Sequence, residues 1–285
     1  MVKSKAKVKP KQTAKSTLAS LPSRHLNFAP GSYLETTSRP LYALVFLLPL
    51  IGIYEFGTIM FNTTLYHVEN IIVQDRVVTF TWLIKLARWS GLDPRLVSAF
   101  PGFVIVLILL CWHIASRHEW TIRAARIGWM AVEAIVLAIP LILFSAAFGA
   151  SRFSAMQALA PNTSAPNSYF SHLVTSIGAG IYEELIFRLI LIGLIIIFME
   201  NVCRQKQNVS IIVAIVLSSI LFSAHHHFGV DFNGAGYTLE PFAWGKFIFR
   251  TFCGIYLALI FSWRGYGIVV GTHAAYNIIL KTLWQ

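Results

Sequence analysis

Apolar runs of about twenty residues recur along this chain, and a soluble fold has no interior large enough for them. About twenty mostly apolar residues is the length that crosses the hydrocarbon core of a bilayer as a helix. Such runs lie at 41–61, 98–116, 127–149, 209–225, 243–262 and 267–284, and a longer one extends from Tyr169 to Met199. Composition agrees: 56% of residues are hydrophobic and 12% charged, against a usual charged share of about 25%. The sequence therefore predicts an all-α fold, a polytopic bundle of about seven to eight transmembrane helices. The segment 77–90 is shorter and carries Lys85 and Arg88, so it reads as interfacial or re-entrant. The run from Tyr169 to Met199 would be about 46 Å long as a single helix. It should tilt, start outside the bilayer, or break near Gly178 and Gly180.

Charge divides the chain. Residues 1–39 hold eight Lys/Arg and one acid, which accounts for +7 of a net +11. This segment reads as an unstructured cytoplasmic tail beside anionic lipid. A basic stripe can also mark nucleic-acid binding, but placement directly before a membrane span argues against that partner. No apolar core suited to a signal peptide occurs in the first ~30 residues. Three regions follow: the tail at 1–39, N-terminal transmembrane helices with one amphipathic segment at 40–167, and a core at 168–285. With the tail inside, the inner loops hold Arg117, Arg123 and Arg126, then Arg204 and Lys206, then Arg264, as the positive-inside rule expects. The loop 62–97 is the exception, with Arg76, Lys85, Arg88 and Arg95 outside. The expected location is the plasma membrane. Cys111, Cys203 and Cys253 fit no zinc ribbon and read as packing residues.

Ionisable groups inside a bilayer cost about 2.5 kcal/mol or more each, so each needs a reason. Glu55, Glu133, Glu183, Glu184 and Arg188 all lie within or near apolar runs, and the last three cluster in GAGIYEELIFRLILIG. Neighbouring helical positions diverge by about 100°, so the two acids point to different faces. Glu184 and Arg188 are four apart, with the acid on the N-terminal side, the favourable order for an ion pair. Glu183 is left without a local partner and is available as a base. The bland alternative is a helix pinned to its neighbours by buried ion pairs. Histidines complement the acids. SSILFSAHHHFG ends one span, with Phe222 and His226 on one helical face, so one of His225, His226 and His227 should point inward while the others face elsewhere. GTHAAYN puts His273 and Asn277 on one face of the last span, beside a small-residue ridge of Gly267, Gly271 and Ala275 suited to close helix packing. His67, His113, His118 and His172 read as ordinary structural histidines. The chain has no HExxH, no GxSG-type serine and no intramembrane aspartate pair.

EELIFR at 183–188, FSAHH at 222–226 and HAAYN at 273–277 match EExxxR, FxxxH and HxxxN/D in that order on separate spans. Together they resemble the CPBP family of intramembrane proteases, named for CAAX-protein and bacteriocin processing, over residues 168–285. The resemblance implies an intramembrane endopeptidase acting on a membrane-associated protein or peptide, with Glu183, Glu184, His226, His273 and Asn277 catalytic and Arg188 and Phe222 in support. It implies that Glu183 activates a water while His226 and His273 orient it or stabilise the oxyanion. Zinc is an alternative for this set, with His226, His273 and Glu183 as its ligands; a metal-free glutamate mechanism is the preferred expectation. The prenyl endopeptidases carry an Asn four residues after the FxxxH histidine. Val230 stands there in this chain, so Asn277 or Asn233 would have to substitute. Two other classes use similar residues: an ion- or proton-coupled transporter, and a non-catalytic immunity or scaffold member of the same fold.

Overall fold

The computed structural model describes residues 28–61, 78–92, 99–148, 168–230, 236–238 and 242–283. Within them the chain is a helical bundle. A short α1 (Tyr33–Thr37) precedes α2 (Pro40–Phe61), α3 (Val78–Trp89), α4 (Phe100–Ser116), α5 (Ala124–Ala147) and α6 (Ser168–Glu184). The last runs through a π-helical stretch, Leu185–Ile192, into α7 (Gly193–Asn201), and is followed by α8 (Gln207–Ala224), α9 (Trp244–Arg264) and α10 (Tyr266–Leu283). A two-stranded antiparallel ribbon, Phe228–Val230 with Gly236–Thr238, lies between α8 and α9. Among the described residues, four stretches are long and apolar enough to cross a membrane: Pro40–Thr58, Ala124–Ala147, Gln207–Ala224 and Trp244–Arg264; Phe100–Ser116 is a shorter apolar helix. With many large apolar side chains facing outward, such as Phe56, Phe103, Leu143 and Ile212, the molecule is an integral membrane protein.

Contacts fix the direction of each helix. Gly267 and Gly271 of α10 press against Ala43 and Phe46 of α2 and against Met130 and Ala134 of α5, so these three run in the same direction. This is the close packing that the Gly267/Gly271 ridge predicts. Helix α6 runs the opposite way between α2 and α10. A Cβ on Gly180 would come within 2.8 Å of the Val270 carbonyl and 2.9 Å of the Ala274 nitrogen, so α6 and α10 touch backbone to backbone there. Tyr54 fills the space that a side chain at Gly178 would need. Of the three alternatives for the long run, a break near these glycines does not occur: their missing side chains admit neighbouring helices, and the helix stays continuous until it widens into the π-helical stretch at Leu185. Helix α3 lies between the end of α2 and the start of α4, which meet where Glu55 approaches Gly102. It does not cross. Phe80, Leu83, Ile84 and Ala87 form its buried face.

The candidate active site

Four elements bring the polar side chains together. Glu183 and Glu184 end α6, Arg188 sits in the π-helical stretch, His225 and His226 follow the last residue of α8, and His273 lies mid-way along α10. π-helical turns are rare and concentrate at functional sites. Glu184 and Arg188 are fully buried. One Glu184 oxygen takes His273 Nδ1 at 2.7 Å; the other lies 3.1 Å from Arg188 Nε, too poorly aligned for a hydrogen bond. Arg188 also donates to the Gly254 carbonyl at 3.3 Å and stacks 4.2 Å from the centre of the Phe222 ring. Gly254 lets α9 pack closely on α8, since a Cβ there would press on Ser219 and Phe222. Glu184 is thus tied between a guanidinium and an imidazole.

Glu183 is placed differently. Its two oxygens lie 3.7 Å from His225 Nε2 and 3.8 Å from His273 Nε2, beyond hydrogen-bond length but within reach through one small bridging group. The donor atoms of Glu183, His225 and His226 all lie within 4.8 Å of one another. Both His225 Nδ1 and His226 Nδ1, the latter at 3.1 Å, bond the Phe222 carbonyl. A carbonyl only accepts, so each Nδ1 carries its proton, and in the neutral rings each Nε2 is a lone-pair acceptor.

The geometry therefore gathers Glu183, Glu184, Arg188, Phe222, His226 and His273. Asn277 is half-buried one turn beyond His273 and makes no hydrogen bond to this cluster among the described residues. Val230 is described only as a strand residue, and Asn233 lies outside the described residues. The expectation that one of three consecutive histidines turns inward is corrected. Helix α8 stops at Ala224, and the tighter turn after it lets His225 and His226 both face Glu183, with ring centres 4.0 Å apart. His227 alone turns away, against Phe242 and Phe247. His225, which is buried, is the residue that the motif spacing misses: FxxxH counts along a continuing helix to His226. Tyr182 is a second residue that the motifs leave out. Its hydroxyl donates to Glu55 at 2.9 Å, which gives that intramembrane acid a partner and fixes the helix one residue before Glu183.

For a zinc ion the donor types fit, and the hydrogen bonds on both Nδ1 atoms are the kind of outer support that metal-bound histidines carry. The trio differs from the expected one: the donor atoms that lie within 4.8 Å of one another belong to Glu183, His225 and His226, and His273 is not among them.

An apolar helical bundle thus shelters two carboxylates, an arginine and three imidazoles at one place. Residues 165–279 match the family model described as type II CAAX prenyl endopeptidase Rce1-like, which supports the resemblance to the CPBP membrane proteases. No curated protein and no solved structure matches the chain.

Proposed function

We propose that the chain is an intramembrane endopeptidase in which Glu183 activates a water that hydrolyses a peptide bond of a membrane-associated protein or peptide. The observation that carries this reading is the contrast between the two acids: Glu184 is held by Arg188 and His273, whereas Glu183 faces two imidazole nitrogens across gaps of 3.7 and 3.8 Å. A carboxylate and a lone-pair nitrogen repel unless a donor lies between them. A water fills that role, giving one hydrogen to Glu183 and the other to a histidine.

In this mechanism Glu183 takes a proton from the water as its oxygen bonds to the scissile carbonyl carbon. The oxyanion forms near His225, His226 and His273, which donate to it when protonated. Glu183 then returns the proton to the departing amine as the C–N bond breaks, so the peptide and water become a carboxylic acid and an amine. Glu184 keeps His273 oriented, and Arg188 holds Glu184 in place. Asn277 has a supporting place on α10. Where zinc is bound, Glu183, His225 and His226 would hold it, and the ion would acidify a bound water. The basic end of the bundle faces the cytoplasm and anionic lipid in this reading, in the plasma membrane.

The test is a comparison of membrane peptides between a wild-type strain and a Glu183→Gln strain. Uncut substrates should accumulate in the variant at unchanged enzyme abundance. Identical peptide sets would remove the peptidase reading.

A further inference from the structure

Helix α3 contributes more than packing. Its buried face is Phe80, Leu83, Ile84 and Ala87, and Phe80 locks it to α2 and α6 through Tyr54 and Tyr182, with ring centres 5.2 and 5.0 Å away. Trp82 lies off that face. Its ring reaches instead to the candidate active site, 6.1 Å from the His225 ring and 6.5 Å from Phe187. The contact with His225 is edge-to-face, at 72° between planes. The indole nitrogen is shielded from the surface and has no hydrogen-bond partner. Among the described residues no other tryptophan has an indole N–H both shielded and unpaired. Trp89, Trp120, Trp129, Trp244 and Trp263 are exposed, where headgroups and water can serve them.

A buried indole N–H normally finds a partner, and one left unpaired in a native fold calls for an explanation. Lipid hydrocarbon offers no acceptor. The neighbouring aromatic rings of Phe187 and His225 do not complete a hydrogen bond either. An extended peptide does carry an acceptor at every residue, its main-chain carbonyl. We propose that Trp82 is a substrate-binding residue: its indole N–H donates to a main-chain carbonyl of the peptide lying against His225, and so sets the register of the scissile bond over Glu183. This rests on the peptidase reading of the Glu183 site and adds to it a contact from an element outside the three sequence motifs. Anchored by Phe80, α3 would present the indole as a fixed donor, with little ordering cost when substrate arrives.

The test uses full-length protein in detergent and an internally quenched peptide ending in a prenylated-cysteine CAAX sequence. Trp82→Phe keeps an aromatic ring and removes the N–H. Binding to the Glu183→Gln protein should weaken about tenfold when Trp82→Phe is added, the size of one buried hydrogen bond, with the thermal transition unchanged. A series of peptides, each with one amide replaced by an ester, supplies the sharper readout. An ester carbonyl is a poorer acceptor, so at one position the ester should weaken binding to the Trp82 protein and have little further effect on Trp82→Phe, a coupling that a purely structural role cannot produce. Equal binding by the Trp82 and Trp82→Phe proteins overturns the proposal. So does a loss that is the same for every ester position, which would make Trp82 a packing residue. A wild-type protein that cleaves the peptide while Trp82→Phe shows no coupling removes the Trp82 contact alone. A wild-type protein that neither binds nor cleaves any such peptide removes the parent reading and this one with it.

Discussion

Two buried arginine–glutamate clusters in this bundle are satisfied to different degrees. At the end of α9, Arg264 is fully buried, and each of its nitrogens has a partner. Nε and Nη2 bond Glu133, Nη2 also bonds Thr37, and Nη1 bonds Ser38 and the Leu34 carbonyl. Tyr33 completes the set with a 2.6 Å bond to Glu133; burial, and then that bond, push its phenol above the ordinary range. This cluster ties α1 to α5 and α9, and nothing in it is left over. Around Glu183 the accounting is incomplete: Arg188 Nη1, His225 Nε2 and the indole nitrogen of Trp82 are shielded and lack partners. A buried polar network that is only partly satisfied is costly. Its retention around Glu183, alongside a fully satisfied network around Arg264, fits the proposed site, which water and substrate would complete.

That contrast can be broken or sharpened by substitution. The largest effect should come from His225→Ala, with a fall in turnover per folded molecule of about 10²–10⁴, far more than the loss of its Nδ1 bond to Phe222 takes from folded yield. A comparable loss in His226→Ala with none in His225→Ala would return the role to the motif histidine. Arg188→Ala should be next. It leaves Glu184 charged and buried, a change worth about 3–5 kcal/mol, and should appear as lost folded protein in a detergent thermal melt. Arg264→Ala should cost about 3 kcal/mol, near the low end of that range, since the Glu133 side chain keeps 20% exposure. Its remaining folded fraction should hydrolyse peptide at the wild-type rate; slower turnover per folded molecule would show that the two clusters are coupled. Tyr33→Phe should be the mildest, about 1–2 kcal/mol for one hydrogen bond to a charged group, read as a small fall in the melting temperature with activity intact.

Much of this was legible in the sequence, for reasons that also explain the omissions. Apolar runs report helices because a bilayer allows little else, and the acids and histidines stood out because their cost in lipid is high. The pairing of Glu184 with Arg188 follows from helical spacing alone. His225 did not, since its position depends on where α8 ends, and the sequence FSAHHH carries no glycine or proline to mark that point. Gly178 and Gly180 read as a weak point, but their role is close approach, which needs the partners Tyr54, Val270 and Ala274 to be known. The π-helical stretch has no clear signal in LIFRLILI. Arg264 and Glu133 are 131 residues apart, and the sequence offers no way to match them. Trp82 lay in a segment noticed for its charges, Lys85 and Arg88, rather than for its ring.

The central claim is that Glu183, and not Glu184, is the base that acts on water. Its most direct test is the single-turnover rate of purified Glu183→Gln on a cleavable membrane peptide, normalised to the folded fraction from the same sample. The account predicts a rate at least 10²-fold below wild type with an unchanged thermal transition, because Gln keeps the shape of a side chain that has no tight structural partner. A Glu183→Gln protein that cleaves at the wild-type rate, or one that loses activity only in proportion to lost folded protein, would contradict it.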